Sequence, residues 1–297
     1  MIDSITFLAK VIGSRWLDIL DKSGEKILLK MARNLLNRAD ISEIRHNPFL
    51  ESIPNAVKKD RCGVCHSTGL VKYLECRSLD SGYAPLYMCK SCLCLYNATA
   101  EFNEMDVVEW QKRWAEDPEF YKVPTGDEFV ALVDRAAPTF EWLENDLGVR
   151  FSGSYMEIGA GSGIMAASAL RFFSDVYVLD HVHDRLLKVR EIVGERYHVI
   201  DYDDGLNIKV DTVLIWHAME HFLNPGGVFA FGAGQLKKKG YFLMQVPVLT
   251  EEHVYPGHYY FYNELVFKRL AEQNGLSILN FYYDHAMNAM TAVLRKN

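Results

Sequence analysis

No stretch of this chain offers the run of about 18 or more apolar residues that a membrane-crossing helix needs. There is no excess of base either: 39 Asp and Glu outnumber 32 Lys and Arg, for a formal net charge of −7. General nucleic-acid binding rests on a basic footprint that neutralises phosphates, so that class is disfavoured. The opening Met1-Ile-Asp-Ser-Ile5 carries an acid where a secretory leader carries bases, and Lys10 and Arg15 interrupt the apolar stretch behind it. No signal peptide is read there, and a cytoplasmic location is expected. Cysteine is sparse, six in 297 residues, and four of the six fall in two tight pairs. In a reducing compartment such pairs point to metal ligation rather than to disulfides.

At 49% hydrophobic and 12% aromatic, the chain can bury a sizeable core, and its length allows two domains or one with appendages. Residues 1–55 read as a helical arm. Ile5, Leu8, Ile12, Trp16 and Ile19 recur at helical spacing, Ser23-Gly24 breaks the pattern, and Ile27, Leu28, Met31, Leu35 and Leu36 resume it. Acids interleaved among the bases argue against a membrane-surface helix, which favours a Lys/Arg-rich polar face. A contact to the main body or to a second copy in a homodimer is the expectation.

Residues 56–100 hold Cys62-Gly-Val-Cys65 and Cys89-Lys-Ser-Cys92. A C-x-x-C turn presents two thiolates to one tetrahedral ion, and two such turns complete a zinc site. Val71–Leu74 and Ala84–Met88 read as short ribbon strands. A segment this small has little core of its own, so the metal would carry much of its folding energy. Four thiolates close the coordination sphere, which makes the zinc structural. Cys76 and Cys94 are read as ordinary buried cysteines.

Residues 101–150 read as two or three helices that Pro118, Pro124-Thr-Gly126 and Pro138 separate, with Trp114 and Tyr121 as lid candidates. From 151 to 297 strands and helices alternate, which predicts a doubly wound parallel sheet. The expected strands are Tyr155–Ile158, Val176–Leu179, Tyr197–Ile200, Asp211–Trp216, Tyr241–Val246 and Leu276–Phe281, with a helix over 263–273. Lys237–Lys239 reads as a solvated turn.

Between the first strand and the helix behind it stand Gly159, Gly161 and Gly163, with Glu157 two residues ahead of the first glycine. Glycine serves where the backbone must turn sharply and approach a ligand closely. The second strand ends in Asp180, at the interval where nucleotide-binding folds place a ribose partner. The third ends in Asp201, with Asp203 and Asp204 close behind. The fourth runs into His217-Ala-Met-Glu-His221, histidine being the side chain most easily poised as a base near neutral pH. An aromatic-rich loop follows the fifth strand: Tyr255, His258, Tyr259 and Tyr260 suit the wall of a small-molecule pocket.

Together these segments resemble the class I S-adenosylmethionine (SAM) methyltransferases. Glu157-x-Gly-Ala-Gly-x-Gly163 resembles their first motif. The strand-4 segment Glu220-His221 with Pro225 resembles their "LEH…P" stretch, with Met219 in place of Leu. His258, Phe261, Leu265, Leu270 and Gly275 follow their C-terminal pattern. The cysteine segment is similar to one attached to sugar and small-metabolite methyltransferases. The resemblance implies an α/β, Rossmann-like seven-stranded sheet over residues 151–297, a zinc ribbon at 56–100, and a lid or linker at 101–150. It implies a SAM site at Glu157, Gly159, Ala160, Gly161, Gly163, Asp180, His181, Asp201, Tyr202 and His217. His221, His217 and Glu220 are the implied catalytic groups, and a small-molecule acceptor the implied partner, such as a nucleotide-linked sugar or an envelope glycan. Methylation of RNA or protein, or SAM binding without chemistry, are the alternatives.

Overall fold

A computed structural model describes residues 62–78, 82–97, 123–180, 183–200, 208–222, 224–255 and 257–297. The proposed arm at 1–55, Trp114 and Tyr121 lie outside these residues, as do His181, Asp201 and Tyr202. The cysteine segment and the catalytic segment fall within one unit that begins at Ala56. No helix among the described residues is long and apolar enough to cross a membrane.

In chain order the elements are β1 (Leu70–Ser78), β2 (Gly82–Cys89), β3 (Leu95–Asn97), α1 (Gly126–Asn145), β4 (Ser154–Ile158), α2 (Ile164–Ala169), β5 (Asp175–Leu179), α3 (His183–Val193), β6 (Tyr197–Val199) and β7 (Val210–Trp216). Then come α4 (Pro225–Gln235), β8 (Leu236–Pro247), β9 (Tyr260–Phe261), α5 (Glu264–Gln273), β10 (Leu276–Asp284) and β11 (Ala289–Lys296). Seven strands form one sheet in the order β10-β11-β8-β7-β4-β5-β6. β6, β5, β4, β7 and β8 run parallel to their neighbours, while β11 is antiparallel to both β8 and β10. The chain winds outward from β4 to β6, then returns to the other side of β4 as β7. That reversal is the topological switch point at which open α/β sheets bind ligands.

The central strands are legible because both their faces are covered, so they read as continuous apolar runs. Tyr155, Met156, Ile158, Val213, Leu214, Ile215, Phe242, Leu243 and Met244 are fully buried. The seventh strand, β11, lies beyond the last strand read from the sequence. Its residues from Ala289 to Leu294 are buried between β8 and β10. β8 also starts earlier than expected, at Leu236. Lys237–Lys239 are exposed and Lys239 takes φ +65°, so the lysines bulge into solvent while the ladder continues around them. Asp211 holds Lys237 Nζ at 2.8 Å there.

Pro138 corrects the sequence reading. It does not separate two helices but sits inside the single helix α1. A proline in a helix interior costs about 3 kcal/mol. Against that, α1 buries Phe129, Val133, Ala137, Phe140 and Leu143 on one face. Each large side chain so buried contributes about 1.5–3 kcal/mol, so the face outweighs the proline. Phe140 is its centre, within 5.1–6.3 Å (ring centroids) of Phe151, Tyr155, Phe172 and Phe173.

A second, smaller sheet has the order β1-β2-β3-β9. β1 and β2 carry the ribbon, and both are longer than the short strands expected. Its last strand, β9, comes from the loop after β8, so residues about 190 positions further along the chain close a sheet begun at Leu70. Asn263 Nδ2 donates to Leu93 O at 3.0 Å, Arg269 Nη1 to Ser91 O at 3.0 Å, and Gly226 N to Gly63 O at 3.3 Å. Tyr260 packs on Tyr96 in this junction. Phe140→Ala is expected to lower stability by about 3–5 kcal/mol, the usual cost of removing a buried aromatic, measured as a fall in the denaturant midpoint at unchanged slope.

Candidate functional site

β4 ends against the glycine turn. Gly159 N donates to Leu179 O at 2.8 Å, which ties the turn to the end of β5. Gly159 itself lies so close to β7's exit that a Cβ on it would come within 2.5 Å of Ala218 Cβ. Gly161 differs: it has φ +50°, and a Cβ there would meet no atom within 4 Å. The backbone is thus bare on the side open to a ligand. Asp180, at the end of β5, accepts the Gly161 N–H at 2.7 Å and fixes the turn's crest. Ala160 is buried beneath it.

Glu157 is buried below the turn and accepts a hydrogen bond from Tyr155 Oη at 2.9 Å. Burial pushes its carboxyl up to about 8; the Tyr155 bond opposes this and the Asp180 charge adds to it. Expected cofactor residues Glu157, Gly159, Ala160, Gly161, Gly163 and Asp180 therefore gather at one turn.

The exit of β7 carries the second half of the site. His217 sits in the left-handed region at φ +48°, its N–H donating to Gln245 O at 2.9 Å. Its Nε2 lies 2.7 Å from Gln245 Oε1, and Gln245 Nε2 donates to Thr291 Oγ1 at 2.8 Å. The amide so placed makes His217 Nε2 the donor and leaves Nδ1 with its lone pair. A turn of 3-10 helix, Met219–His221, follows. His221 Nδ1 lies 2.7 Å from Gly257 O, and His258 Nδ1 lies 2.8 Å from His253 O. Carbonyls only accept, so both rings carry their proton on Nδ1 and turn an Nε2 lone pair inward. Glu220 Oε1 stands 3.9 Å from His217 Nδ1, from His221 Nε2 and from His258 Nε2. Tyr255 Oη donates to His258 Nε2 at 2.6 Å.

Burial pushes the Glu220 carboxyl up to about 8. Burial, with the neighbouring His221 and the other rings adding to it, drives His258 down to about 2, although its bond to His253 O opposes this. His217 is lowered too, by burial, with Gln245 pulling the other way. His217, Glu220, His221, His258 and Tyr255 thus meet in space from two separate segments.

Tyr259 and Tyr260 do not join them. Both are about 1% exposed, packed in the core, and Tyr260 is tied into β9, so neither offers a face to an acceptor as expected. Gln245 and the carbonyls of His253 and Gly257 were not singled out in the sequence. Gln245 could have been: it is a lone polar residue in the buried run of β8.

The four paired cysteines form a separate cluster. Cys62 Sγ lies 3.7 Å from Cys92 Sγ, and Cys65 Sγ lies 3.6 Å from Cys89 Sγ. The edge of a tetrahedron with zinc–sulfur bonds of about 2.3 Å is about 3.8 Å, so these sulfurs fit one zinc ion. The two knuckles match: His66 N donates to Cys62 O at 2.9 Å and Leu93 N to Cys89 O at 2.8 Å, with His66 and Leu93 both at positive φ. Cys94 is buried and turns its Sγ to Phe261 O at 3.5 Å, outside the cluster. Cys76 is only half-buried, less than expected.

The strand order, the reversed β11 and the glycine turn at the switch point define a Rossmann-like fold of the class I methyltransferase type. The chain belongs to the methyltransferase domain family, whose profile matches residues 127–280. Among solved structures it is similar to magnesium protoporphyrin IX methyltransferase from Synechocystis PCC 6803 at 15% identity and TM-score 0.46, covering 66% of this chain and 96% of that one. It is similar to a SAM-dependent methyltransferase from Clostridium acetobutylicum ATCC 824 at 12% identity and TM-score 0.43, covering 63% and 99%. The glycopeptide N-methyltransferase MtfA matches at 15% identity and TM-score 0.44, covering 54% and 94%. No functionally curated protein matches the chain.

Glu157 yields a pH prediction. Its folded value of about 8 lies above the ordinary 4.5, so its stabilising contribution is complete below about pH 4.5 and is lost as pH rises through about 8. Glu157→Gln removes that dependence while keeping an acceptor for Tyr155. In ligand-free protein, the Tm of the variant should exceed that of the wild type at pH 8–9, with the gap closing toward pH 5.

Proposed function

We propose that the protein transfers a methyl group from SAM to a small-molecule acceptor. The observation that carries this reading is the juxtaposition at the switch point: the bare backbone of Gly161, clamped by Asp180, stands one packed contact away from the histidine–glutamate cluster. The open side of Gly161 fits a ligand that must lie against the backbone, and the carboxylate beside it fits a ribose. Glu157, Gly159, Ala160, Gly161, Gly163 and Asp180 would hold SAM, with His217 at its edge. His181, Asp201 and Tyr202 are proposed for the same ligand. When bound, SAM supplies a methyl group already activated on a sulfonium sulfur.

The chain's own part is alignment and proton handling. Positioning two reactants can contribute several kcal/mol to rate, since it replaces a bimolecular encounter. The acceptor's proton would pass to an imidazole lone pair of the cluster, His217 Nδ1 or His221 Nε2, both rings being part-exposed. Buried Glu220 would support the charge that develops there. Tyr255 and His258 would wall the acceptor's side. A nucleotide-linked sugar or an envelope glycan is the acceptor class we favour. Zinc on Cys62, Cys65, Cys89 and Cys92 would be structural, since four thiolates leave no position for substrate.

The cofactor test is direct. S-adenosylhomocysteine should bind the wild type by calorimetry with a micromolar Kd. Gly161→Val, which fills the cradle, and Asp180→Ala, which frees the turn, should each weaken binding tenfold or more. No heat with the wild type would end the reading. Once an acceptor is in hand, His217→Ala should lower kcat about a hundredfold or more, the usual contribution of a positioned acid or base, while leaving cofactor affinity within a few fold. Elemental analysis should find zinc that resists dialysis in the wild type and is lost in Cys62→Ser.

A further inference from the structure

Glu220, His221 and His258 each offer a donor atom within 4.8 Å of the others'. None of the three belongs to the sulfur cluster. Glu220 and His221 come from the turn after β7, and His258 from the loop after β8, so the grouping is made by the fold and not by one stretch of chain. Both imidazoles are held by hydrogen bonds from Nδ1 to backbone carbonyls, those of Gly257 and His253. That is the support which metal-bound histidines commonly have, since it fixes the ring and aims the Nε2 lone pair. Glu220 Oε1 lies 3.9 Å from Nε2 of His221 and from Nε2 of His258, so one carboxylate oxygen and two imidazole nitrogens converge on one small space. Oε2 of the same buried carboxylate has no hydrogen-bond partner among the described residues. A buried carboxylate left so is costly unless a proton or a cation reaches it.

The geometry points to a second metal site, in which Glu220, His221 and His258 bind a divalent transition cation that receives an oxygen of the methyl acceptor. This inference rests on the methyl-transfer reading and deepens it. Two imidazoles and a carboxylate suit zinc, manganese, iron, cobalt or nickel rather than magnesium or calcium, which take oxygen ligands. Three protein ligands leave at least one position for water or for an acceptor oxygen, unlike the closed sulfur site. The acceptor would then carry a hydroxyl or carboxylate next to the methylated atom. His221 becomes a ligand, and His217 Nδ1, also 3.9 Å from Glu220 Oε1, is left to take the acceptor's proton. One group competes: the Tyr255 hydroxyl holds the His258 lone pair at 2.6 Å and must yield it when the cation enters.

The test is a titration of full-length protein, its sulfur site loaded with zinc, with Co2+ followed by absorption and calorimetry. One further equivalent should bind with visible d–d bands and without the intense sulfur-to-cobalt charge-transfer band that exchange into the cysteine cluster would give. Glu220→Gln and His258→Gln should each weaken that binding at least tenfold, and Tyr255→Phe should tighten it. S-adenosylhomocysteine affinity, measured on the same samples, shows that each variant is folded. Should Glu220→Gln fail to fold, His221→Gln replaces it, being part-exposed. Absence of a further equivalent in the wild type, or equal binding in the variants, overturns the site. Absence of S-adenosylhomocysteine binding overturns the methyl-transfer reading instead, and the cobalt result stands apart from it.

Discussion

The backbone of Gly159 lies directly on Ala218, and no other residue type could bring the ends of β4 and β7 so close: even a methyl group at 159 would overlap the Ala218 side chain at 2.5 Å. Everything proposed for this protein depends on that approach. On one side of it the chain rises to the bare crest at Gly161, held by Asp180. On the other side Ala218 stands between His217 and the turn that carries Glu220 and His221. A ligand against the crest and a ligand against the imidazoles are therefore neighbours by construction. The parallel sheet supplies the frame, since adjacent parallel strands end at the same edge and the reversal after β6 leaves that edge uncovered.

The electrostatic character of the two halves differs from what a list of residues suggests. Glu157, Glu220, His217 and His258 would be expected to carry charge, yet burial drives the carboxyls up and the imidazoles down, so each moves toward its neutral form. Where groups move toward their neutral forms, a ligand is oriented more by shape and directed hydrogen bonds than by charge, and that is the weighting the proposed chemistry would have. Three imidazoles stand at the same 3.9 Å from one oxygen of the Glu220 carboxyl.

The sequence was most legible where a residue's role is local. Gly159, Gly161 and Gly163 stand where the turn demands positive φ, Asp180 ends its strand at the expected interval, and Pro225 opens α4 with the Asn224 side chain capping Gly227 N. Continuous apolar runs gave β4, β5, β7 and the second half of β8. Illegible features were those that depend on distant partners. Pro138 argued for a helix break, but the aromatic face of α1 prevails, and that face is counted only once its neighbours at 151, 155, 172 and 173 are known. β11 is an interior strand only because β8 and β10 flank it. Tyr259 and Tyr260 have the composition of a pocket wall, yet β9 pairing with β3 takes Tyr260 into the core and Tyr259 is buried beside it. His258 was read as an acceptor contact, but its nearness to Glu220 arises from a loop that spans the end of β8, and no spacing in the sequence announces it.

That loop also binds the cysteine segment to the site. Asn97 N donates to Tyr259 O at 2.9 Å, and Tyr259 N donates to Glu220 O at 2.9 Å. One residue thus joins the last ribbon strand of the cysteine segment to the backbone of the buried carboxylate, and His258 is the residue next to it. Asn97 Nδ2 reaches Tyr255 O at 3.1 Å as well, so the far end of the same short loop is held from β3. A cluster of four sulfurs that keeps β2 and β3 in place therefore keeps Tyr255 and His258 in place. The cysteine segment thus contacts directly the loop on which we propose the acceptor rests, and loss of its fold would be expected to loosen His258.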